Sequence, residues 1–435
     1  MSDPTAPMPA TSSPASPPSA PASPSSPVPP PIPWFALVAV LLGAFISTLN
    51  GRLSTFGLAD IRGAVHAGFD EGAWITTSQT VAQMLVCPFA LWVGANYGPK
   101  PVLRYAALAF ALINLITPFY TDLHAFLALR FLGGVASGFF IPLTIGFILT
   151  NTPPRVWAYG IAMYALNLEL SLNISASIEG WFIDHLSWRW IFWQNVPLGL
   201  AMALCLRFSG PAPPPKHMPS DLFGMVTAGI GFSLIYAALD QGNRVDWLNS
   251  GLICGLLVSG FIVLVAFVVH DARTPNPLIN LKVAFAKPLP SMFVLISFLR
   301  LTILSTAFLV PQYLQVVRGF RSLEVGQTLL WLAVPQLIVC PLAGLLLRRF
   351  DPRMIASVGF LLISLSCYLI AHTLTPLWGS DQFLVSAVLQ AVGQSFALSG
   401  TIFYGIQHIR PQDALTLGTM IQIARLMGGE VGQAF

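Results

Sequence analysis

Thirteen apolar runs succeed one another along this chain from Trp34 onward, each close to the length a helix needs to cross a hydrocarbon layer. That succession constrains the fold more than any other feature, because a layer ~30 Å thick takes about 20 apolar residues per helix. The runs fall at roughly 34–59, 73–95, 102–120, 124–149, 156–183, 189–207, 221–239, 249–270, 289–316, 325–347, 353–373 and 382–407, and a last one opens near Ala414. Hydrophobic residues make up 55% of the 435 and charged ones 9%, which leaves too little polar surface to cover a water-facing sphere. Alternating amphipathic strands, the signature of a membrane barrel, are absent, so the spans are helices whose backbone bonds close internally. The expected fold class is all-α, a polytopic membrane protein.

Residues 1–33 are Pro, Ser and Ala almost without charge and lack the basic start and cleavage site of a signal peptide, so a disordered cytoplasmic tail is expected there. A Pro-rich break within 209–220, carrying Lys216 and His217, reads as a linker between a six-helix bundle over 34–208 and the later spans. The five cysteines lie inside apolar runs without paired spacing, and the seven histidines are scattered, so neither a metal nor any other cofactor is indicated. Basic clusters interleaved with aromatics are lacking, which argues against nucleic acid as a partner. With the N-terminus placed inside, the inner connections hold Lys100, Arg104, Arg155, Arg207, Lys216, Arg273, Lys282, Lys287, Arg348, Arg349, Arg353 and Arg410. The outer side holds only Arg62, Arg189, Arg244, Arg318 and Arg321, the bias that cytoplasmic loops show.

Charges within the spans are informative, since each costs about 2.5–3.5 kcal/mol to insert and normally faces a partner, water or a substrate path. Arg52 on the first span, Arg130 on the fourth and Glu179 on the fifth come out ~12, ~9 and ~8 Å below the outer boundary at ~1.5 Å per residue, close enough in depth to meet in one bundle. Glu169 is deeper, near mid-membrane, where desolvation and a neighbouring Arg would act against each other, the balance a proton carrier needs. Glu169 or Glu179 is the expected carrier. Arg300, midway in the ninth span, reads either as a ligand for an anionic substrate or as a strut. Asp240, Arg244 and Asp246 beside Trp247 read as a solvated outer turn. No nucleophile and base pair or phosphate loop is legible, so an enzyme is not expected.

One stretch, Trp188-Arg189-Trp190-Ile191-Phe192-Trp193-Gln194-Asn195-Val196-Pro197-Leu198-Gly199, resembles the W-R-W-I-F-x-x-N-x-P-x-G start of the sixth span in the fourteen-span drug:proton antiporters of the major facilitator superfamily, the EmrB/QacA type. Leu239-Asp240-Gln241-Gly242 with Asp246-Trp247, the segment Pro311-Gln312-Tyr313-Leu314-Gln315, and Arg425 with Gly428 and Gly429 are similar to later landmarks of that family. The resemblance implies two pseudo-symmetric six-helix bundles around a central cavity, worked by alternating access, with an extra helix pair at 221–270 and a C-terminal bundle from 271 that stops incomplete at Phe435. It further implies that Arg130 and Gly134 belong to a proton-coupling motif and that Gly98, Lys100, Gly180 and Arg425 serve conformational motifs. Asn50, Arg300 and Gln312 are expected on the substrate cavity.

The departures from that pattern matter as well. Asn50 stands where the family's first span has an acid, Ala95 and Asn96 replace Asp and Arg in the loop after the second span, and the fifth-span motif's Gly, Pro and Gly appear as Ser175, Ala176 and Glu179, leaving only Gly180. Glu179, held by Arg52, would then supply the carboxylate that position 50 lacks. The function implied is proton-driven export of drugs or toxic aromatic metabolites across the inner membrane, with a small-molecule substrate, protons and the lipid bilayer as partners and a periplasmic adaptor and outer-membrane channel as candidate recipients. Uptake of an organic anion by proton symport is the alternative that Arg52 and Arg300 would accommodate; an integral membrane enzyme or sensor, or an inactive truncated transporter, are the others.

Overall fold

A computed structural model of the chain describes residues 34–209, 218–275, 277, 285, 288–409 and 413–434. The tail, Lys216, His217, Lys282, Lys287 and Arg410 lie outside them. Each apolar run is helical. The helices are α1 (Trp34–Phe56), α2 (Leu58–Ala64), α3 (Phe69–Tyr97), α4 (Pro99–Ile116), α5 (Leu123–Gly138), α6 (Phe140–Asn151), α7 (Pro154–His185), α8 (Trp190–Trp193) and α9 (Asn195–Phe208). Beyond the linker come α10 (Leu222–Gly242), α11 (Gly251–Arg273), α12 (Leu289–Val316), α13 (Ser322–Leu346), α14 (Pro352–Thr373), α15 (Leu384–Ile406) and α16 (Ala414–Ala434).

Local chemistry sets the ends. Prolines open α4, α7 and α14 at positions where a missing N–H costs nothing. Asp122 and Asp351 cap α5 and α14 by accepting the backbone N–H of Ala125 and Arg353, both at 2.8 Å. Gly98 makes the tight turn from α3 to α4 at φ +82°, a conformation that favours glycine. Asp221 caps α10 through Gly224 at 2.9 Å and also holds His270 of α11 at 2.8 Å, which ties the two helices into a pair.

Apolar side chains then face lipid or core. On α11, Val258, Phe261 and Ile262 are each at least 59% exposed, a face that only hydrocarbon would solvate. Among the described residues, ten helical segments are long and apolar enough to cross a membrane. The most informative exceptions are α3 and α16, whose mean hydropathy is lowered in part by Gln79, Gln83, Gln422, Arg425 and Glu430, all buried inside. Inside, α1, α6 and α7 share one core with α12, α14, α15 and α16 through Tyr164, Leu168, Ile296, Ile303, Ile363 and Ile421. The helix pair α10–α11 packs on α3, and α10 also touches α16.

Candidate functional site

Helix α1 carries Ser47, Thr48, Gly51 and Arg52 toward an interior cavity of about 130 Å³. Thr76, Thr80 and Gln83 of α3, Tyr236 and Asp240 of α10, Arg300 of α12, and Arg425 and Glu430 of α16 complete most of its wall. The wall is polar because the least apolar helices meet there, and helices from both ends of the sequence contribute. Its volume holds only a few waters, far below the ~300–1,000 Å³ of a site for a drug-sized ligand. In this conformer a large compound has no room in this cavity.

Two of the sequence candidates form an ion pair beside this cavity. Glu169 of α7 and Arg300 of α12 stand 3.4 Å apart, with side chains 0% and 3% exposed. No hydrogen bond reaches either Glu169 oxygen, or Nε of Arg300, among the described residues. A neighbouring polar triad also joins the two parts of the chain: Asn173 of α7 donates to Gln336 of α13 at 3.1 Å and to Gln394 of α15 at 3.3 Å, and Gln336 donates to Gln394 at 3.0 Å. Arg425, expected to serve a conformational motif, crosses in the same way by donating from Nη1 to the Thr48 hydroxyl at 3.2 Å, and it lines the cavity.

The expected cluster of Arg52, Glu179 and Arg130 is only partly assembled. Arg130 is buried on α5, donates from Nε to the Ile75 carbonyl at 3.2 Å, and lies over the Phe192 ring at 5.5 Å, which fastens α5 to α3. Glu179 is fully buried against Gly57, at the end of α1. Arg52 feels the charge of Glu179, but the carboxylate acting on it most strongly is Glu430. Glu430 was not among the sequence candidates, although a glutamate in a long apolar helix is a visible signal.

Asn50 is buried off the cavity, where its carbonyl accepts from Asn195 at 2.9 Å, and Asn195 also donates to Asn114 at 3.0 Å. Gln312 is exposed and does not line the cavity. Lys100 is buried, donates to the Ser209 carbonyl at 3.0 Å, and lies 5.8 Å from the Phe147 ring, beside the Gly98 turn. Gly134 lets α5 close onto the Gln79 carbonyl of α3. Gly180 does the same for α7 against α13, since a Cβ there would fall 2.6 Å from the Leu323 nitrogen.

Asp240 corrects the expectation of a solvated turn, because α10 continues through Gly242 and carries Asp240 into the cavity wall. The helix persists because its polar end is satisfied: the Thr77 hydroxyl donates to Asp240, the Gln241 amide donates to it at 2.9 Å, and Arg244 bonds Gln241 at 2.8 Å and pairs with Asp70 at 2.5 Å.

Similarity to known proteins agrees with this architecture. The multidrug export protein EmrB of Haemophilus influenzae is 24% identical over 408 residues, which cover 92% of this chain and 80% of that protein. The multidrug export protein EmrB of Escherichia coli is 23% identical over 401 residues, covering 91% and 78%. Among solved structures, the proton:xylose symporter XylE superposes with a TM-score of 0.64 at 10% identity over 92% of this chain and 86% of that one, a likeness of fold. Residues 40–433 match the Major Facilitator Superfamily, and the chain belongs to that family.

Proposed function

We propose that the protein is a proton-coupled secondary transporter that exports drugs or toxic amphipathic and aromatic compounds across the inner membrane, with its N-terminus in the cytoplasm. The observation that carries this reading is the Glu169–Arg300 pair, a dehydrated ionic contact between α7 and α12 at a polar cavity. A carboxylate so poorly hydrogen-bonded is held mainly by one guanidinium, so protonating it would release Arg300 and loosen the contact. Glu169 is the favoured proton carrier, Glu179 with Arg52 a second acid and base pair, and Arg130 the brace that keeps α5 and α3 aligned. The similarity to proteins named for multidrug export supports the cargo class. A periplasmic adaptor and outer-membrane channel would receive the cargo.

Arg52, Arg300 and Arg425 on one cavity wall favour a second reading, uptake of an organic anion with protons. Whole-cell accumulation of a panel of dyes and aromatic acids, with and without an uncoupler, separates the two. Export predicts that the uncoupler raises accumulation in expressing cells. A fall would support symport instead.

A further inference from the structure

Two carboxyl groups that no proton scheme above uses meet across the α10–α16 contact. Asp240 and Glu430 line the same small cavity, and each is held by a donor from α10. Ionised carboxylates only accept hydrogen bonds, so a proton on one is what would let the two groups bond each other. Two carboxylates on the wall of one small dehydrated cavity also repel strongly, and pairs in contact hold a single proton. The surroundings are built for it. The Tyr236 hydroxyl, one turn before Asp240 on α10, donates to Glu430 at 2.5 Å, while Thr77 and Gln241 donate to Asp240.

We propose that Asp240 and Glu430 form a one-proton carboxyl pair, a second proton-binding site in the cavity wall that makes α10 part of the coupling machinery. This rests on the reading of the protein as proton-coupled. Charged groups nearby are Arg52 of α1, Arg300 of α12, Arg425 of α16 and, toward the end of α10, Arg244 with Asp70 of α3. With one proton the pair carries a single negative charge, which Arg52 opposes. Loss of that proton to water leaves two carboxylates on one cavity wall, and their repulsion pushes α10 from α16. Rebinding a proton draws them together again. The rest of α10 stays anchored to α3, where Ser233 donates to the Val81 carbonyl at 3.0 Å, so the movement falls on the α10–α16 side.

The pair is tested by infrared titration of the purified, detergent-solubilised protein, which requires no transported compound and so stands apart from the accumulation assay. In difference spectra against the Asp240→Asn, Glu430→Gln double variant, which cancel other buried carboxyls such as Glu179, wild type should show a protonated-carboxyl band at neutral pH that each single variant lacks. In either variant the remaining carboxyl, freed from its acidic neighbour and held by its own donors, Tyr236 on Glu430 or Thr77 and Gln241 on Asp240, ionises. Survival of the band in one or both single variants would overturn the pair, because the proton would then belong to one residue alone or to another site. Tyr236→Phe keeps both carboxyls and nearly the same volume but removes a donor that favours the ionised form. Its band should persist to higher pH than in wild type, and an unchanged titration would equally refute the proposal.

Discussion

Glu169→Gln is expected to leave the protein unable to transport and markedly less stable, because it strands the Arg300 charge in a buried site where its side chain is only 3% exposed. Breaking a buried ion pair by removing one partner costs about 3–5 kcal/mol, mostly the penalty of the unpaired charge left behind. Arg300→Gln should destabilise to a similar degree for the same reason. The double variant, Glu169→Gln with Arg300→Gln, removes both charges and should recover most of the loss, since neutral replacements of a buried pair are often tolerated. Thermal unfolding in detergent reads the stability, and dye efflux reads the activity. Recovery of stability without recovery of transport would separate the structural role from the proton-carrying one. A double variant that both folds and pumps protons normally would remove Glu169 from the mechanism.

The second large effect is expected at the α7–α13 contact. A Cβ at Gly180 would lie 2.6 and 2.7 Å from the nitrogen and Cα of Leu323, and one at Gly326 would lie 2.5 Å from the Cα of Ser177. These neighbours are backbone atoms, which cannot swing aside as a side chain can. Gly180→Val should therefore pry the two helices apart at that end, at a cost of about 1–3 kcal/mol for overpacking, and disfavour the tight conformer described here. In a background without native cysteines, a cysteine at Thr80 in the cavity wall should then react faster with a water-soluble maleimide. Gly255→Val on α11, where nothing lies within 4 Å of an added Cβ, serves as the control and should leave that rate unchanged. Equal rates in both variants would mean that the α7–α13 contact does not control access.

Most of the helical framework is legible in the sequence, because membrane spans need long apolar runs and these are local. Their boundaries need tertiary contacts. The apolar run that ends at 239 continues as helix to Gly242, since Thr77 and Arg244 satisfy polar groups that look like turn residues when read alone. The break at Phe139 between α5 and α6 leaves no mark in the apolar pattern. Among site residues, Glu169 and Arg300 both stand out as costly intramembrane charges, yet their pairing joins residues 131 positions apart and no local spacing encodes it. Depth arithmetic puts Arg130 level with Glu179 but says nothing of direction around the helix axis, and Arg130 points to α3 and Phe192. Gln312 matches a family landmark but sits on an exposed face, since a motif fixes register along a helix and not what lies beside it.

The most direct test is transport in sealed vesicles containing only this protein, with an imposed pH gradient and a fluorescent aromatic dye. Acidifying the lumen of vesicles in which the cytoplasmic face points outward should drive dye inward while protons leave, and Glu169→Gln vesicles should do neither. Dye movement that persists after the gradient is collapsed, or protons travelling in the same direction as the dye, would contradict proton-coupled export.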